Sequence, residues 1–253
     1  MVDASININP IYKFALVIGI NYNGSPVALK GCINDAHNIV DHLVKQCGYL
    51  EQNITLLTDK TAVKPTSINI DYEITKLINL AFTGAQELFL SYSGHGTYVK
   101  DLNRDEKDGR DECIVPLDYR RTGFIRDDRL NQLIRKLPVS CKLYCLFDSC
   151  FSGTVLDLKY SHLTSKSETQ TQTIENTSSS IPGNVLMISG CTDTQTSADA
   201  LISGTWAGAM TASFLKCSSK LTFTLAVVQE MNAWLKLNGF KQTPRLSGSR
   251  SLN

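Results

Sequence analysis

The chain of 253 residues has no long apolar run, no excess of charge of one sign and no disulfide-like density of cysteine. Each absence removes a class of protein. A helix that spans a bilayer needs about 20 apolar residues in a row, and no such run occurs. Residues 1–10 are polar and lack the basic-then-apolar pattern of a secretory leader. The expectation is a soluble protein of the cytoplasm with no membrane partner. Lys and Arg total 25 against 24 Asp and Glu, a formal net charge of +1, so no overall field favours nucleic acid. Eight cysteines in a chain this long do not make a disulfide framework. Cys141 and Cys145 lie inside one apolar run and Cys217 near the end of a helical stretch, where cysteine serves as a small buried hydrophobe. Cys141, Cys145 and Cys150 also lack the paired C-x-x-C spacing of a zinc site.

What is present is an alternation of short apolar runs with segments of helical period. Residues 12–20, 53–58, 87–92, 142–147 and 185–189 read as strands. Helices are expected from Asn34 or Asp35, either of which can cap, to about Gly48, and over 68–82, 127–137, 206–217 and 225–238. This order implies an α/β fold, a mostly parallel central sheet flanked by helices on both faces. In such sheets the functional crevice lies beyond the carboxyl ends of the strands. Residues 161–180 hold eleven Ser or Thr and read as a mobile linker. One strand and two helices after it are too little to bury a core alone. The expectation is therefore a single domain, 1–253, with a large segment over 1–160, a linker over 161–183 and a small segment over 184–253 that completes the same sheet.

Two motifs sit at strand ends. Ser-Gly-His-Gly, Ser93 to Gly96, follows the run ELFLSY, and Asp-Ser-Cys-Phe-Ser-Gly, Asp148 to Gly153, follows KLYCLF. A thiol nucleophile needs a base and donors for the tetrahedral oxyanion. His95 lies 55 positions before Cys150, near the spacing of about 50 in the caspase arrangement. Gly94 and Gly96 leave room for a substrate backbone. The backbone N–H groups of Gly96 and Cys150 are candidates for the oxyanion hole. His37 and His42 on the first helix and His162 in the linker lack this glycine framing. Asp101, Asn103, Asp105 and Glu112 fall at EF-hand offsets one, three, five and twelve, but Glu106 stands where that loop needs glycine, so this is a decoy.

These residues resemble the metacaspases, caspase-related cysteine peptidases. The resemblance runs through ALVIGINY at 15–22, LKGCINDA at 29–36, the His95 motif, DGRDECIVPLD at 108–118, the Cys150 motif, ISGCTDTQTSAD at 188–199 and QTPRLS at 242–247. It implies a caspase-like fold and a Cys150/His95 endopeptidase acting on proteins or peptides. Asp148, two residues before Cys150, can face the same way as the nucleophile and would bind a cation. The resemblance adds Cys32, Asp35 and Ser93 to that pocket, which implies cleavage after Arg or Lys. It also implies calcium held by Asp111, Asp127, Asp128 and Asp157, which would be costly to gather without a cation. Asp127 could instead cap a helix and Asp157 lie on the surface. No Pro- or Gln-rich prodomain and no zinc finger precedes the catalytic motifs, so the chain resembles a bare type I-like domain. Lys159 and Lys166 are candidate self-cleavage sites, or simply solvated lysines. A monomer is implied. The alternative from another class is a catalytically silent caspase-like scaffold that acts by binding protein. A redox or metal protein is a third reading, which the cysteine spacings do not support.

Overall fold

The computed structural model of the chain describes residues 12–100, 109–150, 155–164, 171–176, 180–190, 199–202 and 204–251. The first half carries β1 (Lys13–Gly19), α1 (Cys32–Cys47), β2 (Ile54–Thr58), α2 (Ser67–Leu80) and β3 (Glu87–Ser93). There follow β4 (Gly96–Lys100), β5 (Arg110–Ile114), α3 (Tyr119–Thr122), β6 (Ile125–Arg126), α4 (Asp127–Ile134) and β7 (Lys142–Asp148). The rest carries β8 (Tyr160–Thr164), β9 (Thr171–Glu175), β10 (Asn184–Ser189), β11 (Asp199–Ile202), β12 (Thr205–Gly208), α5 (Ala209–Cys217), α6 (Leu225–Leu237) and β13 (Arg245–Gly248).

An eight-stranded sheet runs in the order β2-β1-β3-β7-β10-β13-β8-β9. The first five strands in that order are parallel, and β13, β8 and β9 each pair antiparallel with the strand before. Alternation along β1 explains the unbroken apolar runs. Leu16 and Ile18 enter a core shared with Ile70, Ile74 and Leu77 of α2 and Leu130, Leu133 and Ile134 of α4. Ala15 and Val17 enter a second core with Ile39 and Leu43 of α1, Phe214 of α5 and Met231 of α6. Both faces of the strand are dry, so both residue parities are apolar. Cys141 and Cys145 are buried as expected, and burial pushes the Cys141 thiol up to about 11. Among the described residues no helix is long and apolar enough to cross a membrane.

Beyond the short strands β4, β5, β6, β11 and β13, which the sequence pattern does not mark, the structure departs from the sequence expectation in three places. The sequence pattern starts a helix at Trp206; instead, residues 205–208 form β12, hairpinned with β11, and α5 begins only at Ala209. Apolar periodicity alone does not tell a short strand from a first helical turn. Some of the Ser/Thr-rich linker is sheet: β8 pairs with β13, and β9 with β8. Threonine is β-branched and suits a pleated edge once β13 offers open backbone groups. Finally, neither Asn34 nor Asp35 caps α1. The N-cap is Gly31, and the Ile33 N–H donates to Asn21 Oδ1 at 3.1 Å, so the cap comes from the chain just after β1.

Candidate active site

β3 and β7 are parallel neighbours, and their last paired residues are Ser93 and Asp148. His95 and Cys150 each stand two residues beyond that pair, at the carboxyl edge of the sheet. The Gly94 N–H donates to the Asp148 carbonyl at 3.3 Å and ties the two strand exits together. Cys150 is half-buried. A Cβ on Gly96 would overlap the Cys150 carbonyl oxygen, so only glycine permits the two backbones to approach this closely. The two proposed oxyanion donors thus belong to backbone segments in contact.

The imidazole is oriented from the other side. His95 Nε2 lies 2.7 Å from the Val27 carbonyl. A carbonyl only accepts, so Nε2 carries a proton and Nδ1 is the basic nitrogen of the neutral ring. The loop that presents Val27 is itself pinned. Asp59 accepts from the N–H groups of Asn21 and Asn23, both at 2.9 Å, and Leu29 N–H donates to the Asn21 carbonyl at 2.8 Å. Sequence reading misses Val27, because a carbonyl leaves no signature in residue type, and Asp59, because no local pattern marks which loop amides a carboxylate will hold.

Beside His95 and Cys150 lie two buried carboxylates, Asp35 at 1% exposure and Asp148 at 2%. Ser93 Oγ donates to Asp35 Oδ2 at 2.8 Å, and the Gly208 N–H donates to Asp35 Oδ1 at 2.9 Å. Asp148 Oδ2 accepts from Thr211 N–H at 2.9 Å and Thr211 Oγ1 at 2.8 Å, at the amino end of α5, where the helix dipole favours an anion. A Cβ on Gly208 would overlap Asp148 Oδ2 and lie 2.8 Å from Asp35 Oδ2. Both carboxylates therefore face one small space at Gly208. Cys32, also buried, opens α1 three residues before Asp35, with its carbonyl packed on Gly19. The four pocket residues named from sequence converge on one region, and Gly208 and Thr211 join them. Sequence reading misses those two because their segment has the pattern of a helix. The rim is also set: Asn34 Nδ2 donates to the Trp206 carbonyl at 2.9 Å, and Lys30 Nζ lies 4.3 Å from the Trp206 ring centroid.

The four acids suggested for calcium behave differently. Asp111 is buried and its Oδ2 pairs with Arg126 at 3.1 Å. Asp127 Oδ2 accepts from the Glu112 N–H at 2.7 Å, and its Oδ1 from the Asp128 N–H at 2.8 Å. Asp128 is exposed, and Asp157 is half-buried with a left-handed φ of 46°. Asn131 Nδ2 donates to the Leu156 carbonyl at 2.8 Å, which brings the Asp157 turn to α4. Among the described residues no three acid, cysteine or histidine side chains gather as a metal site. The Arg126 guanidinium thus serves Asp111, and backbone amides serve Asp127. Lys159 precedes β8, with Nζ 3.3 Å from Glu175 Oε1 and its carbonyl accepting from Asn176 N–H at 2.7 Å. Lys166, the EF-hand-like run 101–106, residues 151–153 and the stretch 191–198 lie outside the described residues.

A half-buried cysteine and a histidine at adjacent strand ends, beside a buried acidic pocket, define a caspase-like α/β domain. Solved structures agree on the fold. The chain superposes on a Geobacter sulfurreducens protein with a TM-score of 0.67 at 24% identity, covering 96% of this chain and 95% of that one. With caspase-1 from Spodoptera frugiperda the TM-score is 0.59 at 12% identity, covering 95% and 90%. A family model described as "Metacaspase, peptidase C14 domain" matches residues 13–159. Metacaspase-1 of Yarrowia lipolytica is 36% identical over 94% of this chain, which spans 61% of that relative's length. The chain belongs to the metacaspase family.

Proposed function

We propose that the chain is a cysteine endopeptidase that cleaves proteins or peptides after Arg or Lys. The observation that carries this reading is the convergence of buried Asp35 and Asp148 on Gly208, one strand end from His95 and Cys150. Buried carboxylates favour a cation strongly and reject an acid. A guanidinium or ammonium drawn to these carboxylates would set the following peptide bond against Cys150. His95 Nδ1 would take the thiol proton, and sulfur would attack the carbonyl carbon. The Gly96 and Cys150 N–H groups would donate to the oxyanion. His95 would then protonate the leaving amine, and water would hydrolyse the thioester by the same route.

Calcium, which the family resemblance implies, would compete with Arg126 for Asp111, so no step is routed through it. Self-cleavage at Lys159 would require its carbonyl to leave Asn176, whereas Lys166 is the second candidate. The seven cysteines among the described residues form no disulfide, in accord with a reducing, cytoplasmic setting.

One assay tests the reading. Short fluorogenic peptides ending in Arg, Lys or Asp are given to the wild-type chain and to Cys150→Ala, in chelator and in added calcium. Hydrolysis of the Arg and Lys peptides alone is expected, lost in Cys150→Ala by at least about 10³-fold. Intact mass of the same samples reports self-cleavage. No hydrolysis under any condition would favour the silent scaffold, and cleavage after Asp would sink the pocket assignment.

A further inference from the structure

His95 lies in the short gap between β3 and β4, so its peptide groups must find partners outside the main ladder. Two tyrosines supply them. Tyr22 Oη accepts from the His95 N–H at 3.0 Å. Tyr92 Oη donates to the His95 carbonyl at 2.7 Å, and the Val115 N–H reaches the same oxygen at 3.2 Å. The hydroxyls lie 3.1 Å apart, and each has its own short acceptor, because Tyr22 Oη donates to the Val115 carbonyl at 2.7 Å. Both side chains are 1% exposed. Burial raises both phenols above the ordinary tyrosine range, so both keep their protons at neutral pH.

The same Tyr22 also meets the imidazole. Its ring centroid is 4.8 Å from that of His95, with the planes inclined at 38°. Tyr22 has a left-handed φ of 52°, a conformation that a bulky residue holds only where its surroundings over-determine it. Gly94 seals the arrangement. A Cβ there would lie 2.7 Å from Tyr92 Oη and 3.0 Å from Tyr22 Oη.

We propose that Tyr22, assisted by Tyr92, is a positioning residue for His95. The two hydroxyls fix the plane of the His95 peptide and the Tyr22 ring shelves the imidazole. Nε2 then meets the Val27 carbonyl, and Nδ1 is held at the angle a thiol proton needs. This rests on the peptidase reading above, in which His95 is the base. In this role Tyr22 acts through His95. Misplacement of a catalytic group by about 1 Å can cost on the order of 10²-fold in rate, so the clamp matters without any chemistry of its own.

The test compares Tyr22→Phe and Tyr92→Phe with the wild type, with His95→Ala and with Tyr49→Phe, a buried tyrosine in the α1 core. Two readouts are used: kcat and KM on the Arg peptide, and the pH profile of Cys150 alkylation by iodoacetamide, which needs no turnover. Tyr22→Phe keeps the ring but strips the His95 N–H of its acceptor. It is expected to lower kcat by about tenfold or more, with KM within about twofold. Its alkylation profile should move some of the way to that of His95→Ala. Tyr92→Phe should act in the same direction, and the double variant should fall short of the product, since the pair works as one unit. Tyr49→Phe should match the wild type in both readouts. A fall in melting temperature with kcat and the alkylation profile unchanged would overturn the proposal. If the wild type cleaves no peptide, the peptidase reading fails alone. The alkylation profiles then still decide: a shift in Tyr22→Phe sustains the clamp and its absence overturns it. Should Tyr22→Phe not fold, Tyr92→Phe is read by the same criteria.

Discussion

Gly208 shows how much of the proposed site rests on a missing side chain. Its N–H holds Asp35, and its lack of a side chain lets both carboxylates pack against its backbone. Gly208→Ala would put a methyl group against Asp148 Oδ2. Turnover of the Arg peptide is expected to fall by at least about 10²-fold, while melting temperature moves by only a few degrees, since the clash is local to the pocket. Asp148→Asn and Asp35→Asn test the charge itself. Loss of one partner from a buried charged contact costs about 3 kcal/mol, which is roughly 10²-fold in kcat/KM for Arg and Lys. Equal kcat/KM in the Asn variants and the wild type would dismiss the carboxylates as specificity groups. At this scale the reactive side chains are legible in the sequence, because cysteine, histidine and aspartate announce chemistry by type. Gly208 and the Val27 carbonyl are not, since they act through backbone groups or through absence of bulk, and Thr211 is not, since its type does not mark the distant carboxylate it serves.

The β8–β9 hairpin is the element whose composition is most misleading. Its buried histidine makes it sensitive to pH. His162 is 3% exposed, its Nδ1 lies 3.1 Å from Thr173 Oγ1, and its Nε2 has no hydrogen-bond partner among the described residues. Burial lowers its pKa below the ordinary histidine value of 6.5. The neutral ring is therefore favoured in the fold. That contribution is fully present above about pH 6.5 and is lost as pH falls through the unfolded value toward the folded one. Hydrogen exchange of β8 and β9 amides, normalised to β1 and β3, is expected to accelerate as pH drops from 7.5 to 5.5. His162→Leu should abolish that acceleration. Equal acceleration in both proteins would place the pH sensitivity elsewhere. Threonine-rich composition alone suggests a linker here, and only the exposed edge of β13 turns it into sheet.

For the whole molecule, the same hairpin decides what the sheet can offer a second copy. β13, the C-terminal strand, is covered by β8 through Leu246, Ser247 and Gly248, so it is not an edge. The edges are β2 and β9, five residues each, and short edge strands pair poorly between molecules. A monomer is expected in size-exclusion chromatography with light scattering; a stable dimer at micromolar concentration would contradict it. The sequence by itself determined the alternation of strands and helices, the dry parallel sheet and the two reactive motifs at strand ends. Those follow from local period and residue type, which a chain carries wherever it folds. Only the tertiary structure decided that Ser93 stands opposite Asp148, that β12 rather than a helix delivers Gly208 to Asp35, and that two tyrosines far apart in the chain hold His95. It also decided that Arg126 answers Asp111. Apart from Tyr92 and His95, which are three positions apart, such pairings join residues 15 to 173 positions apart, and no local pattern encodes which distant partner will satisfy a buried polar group.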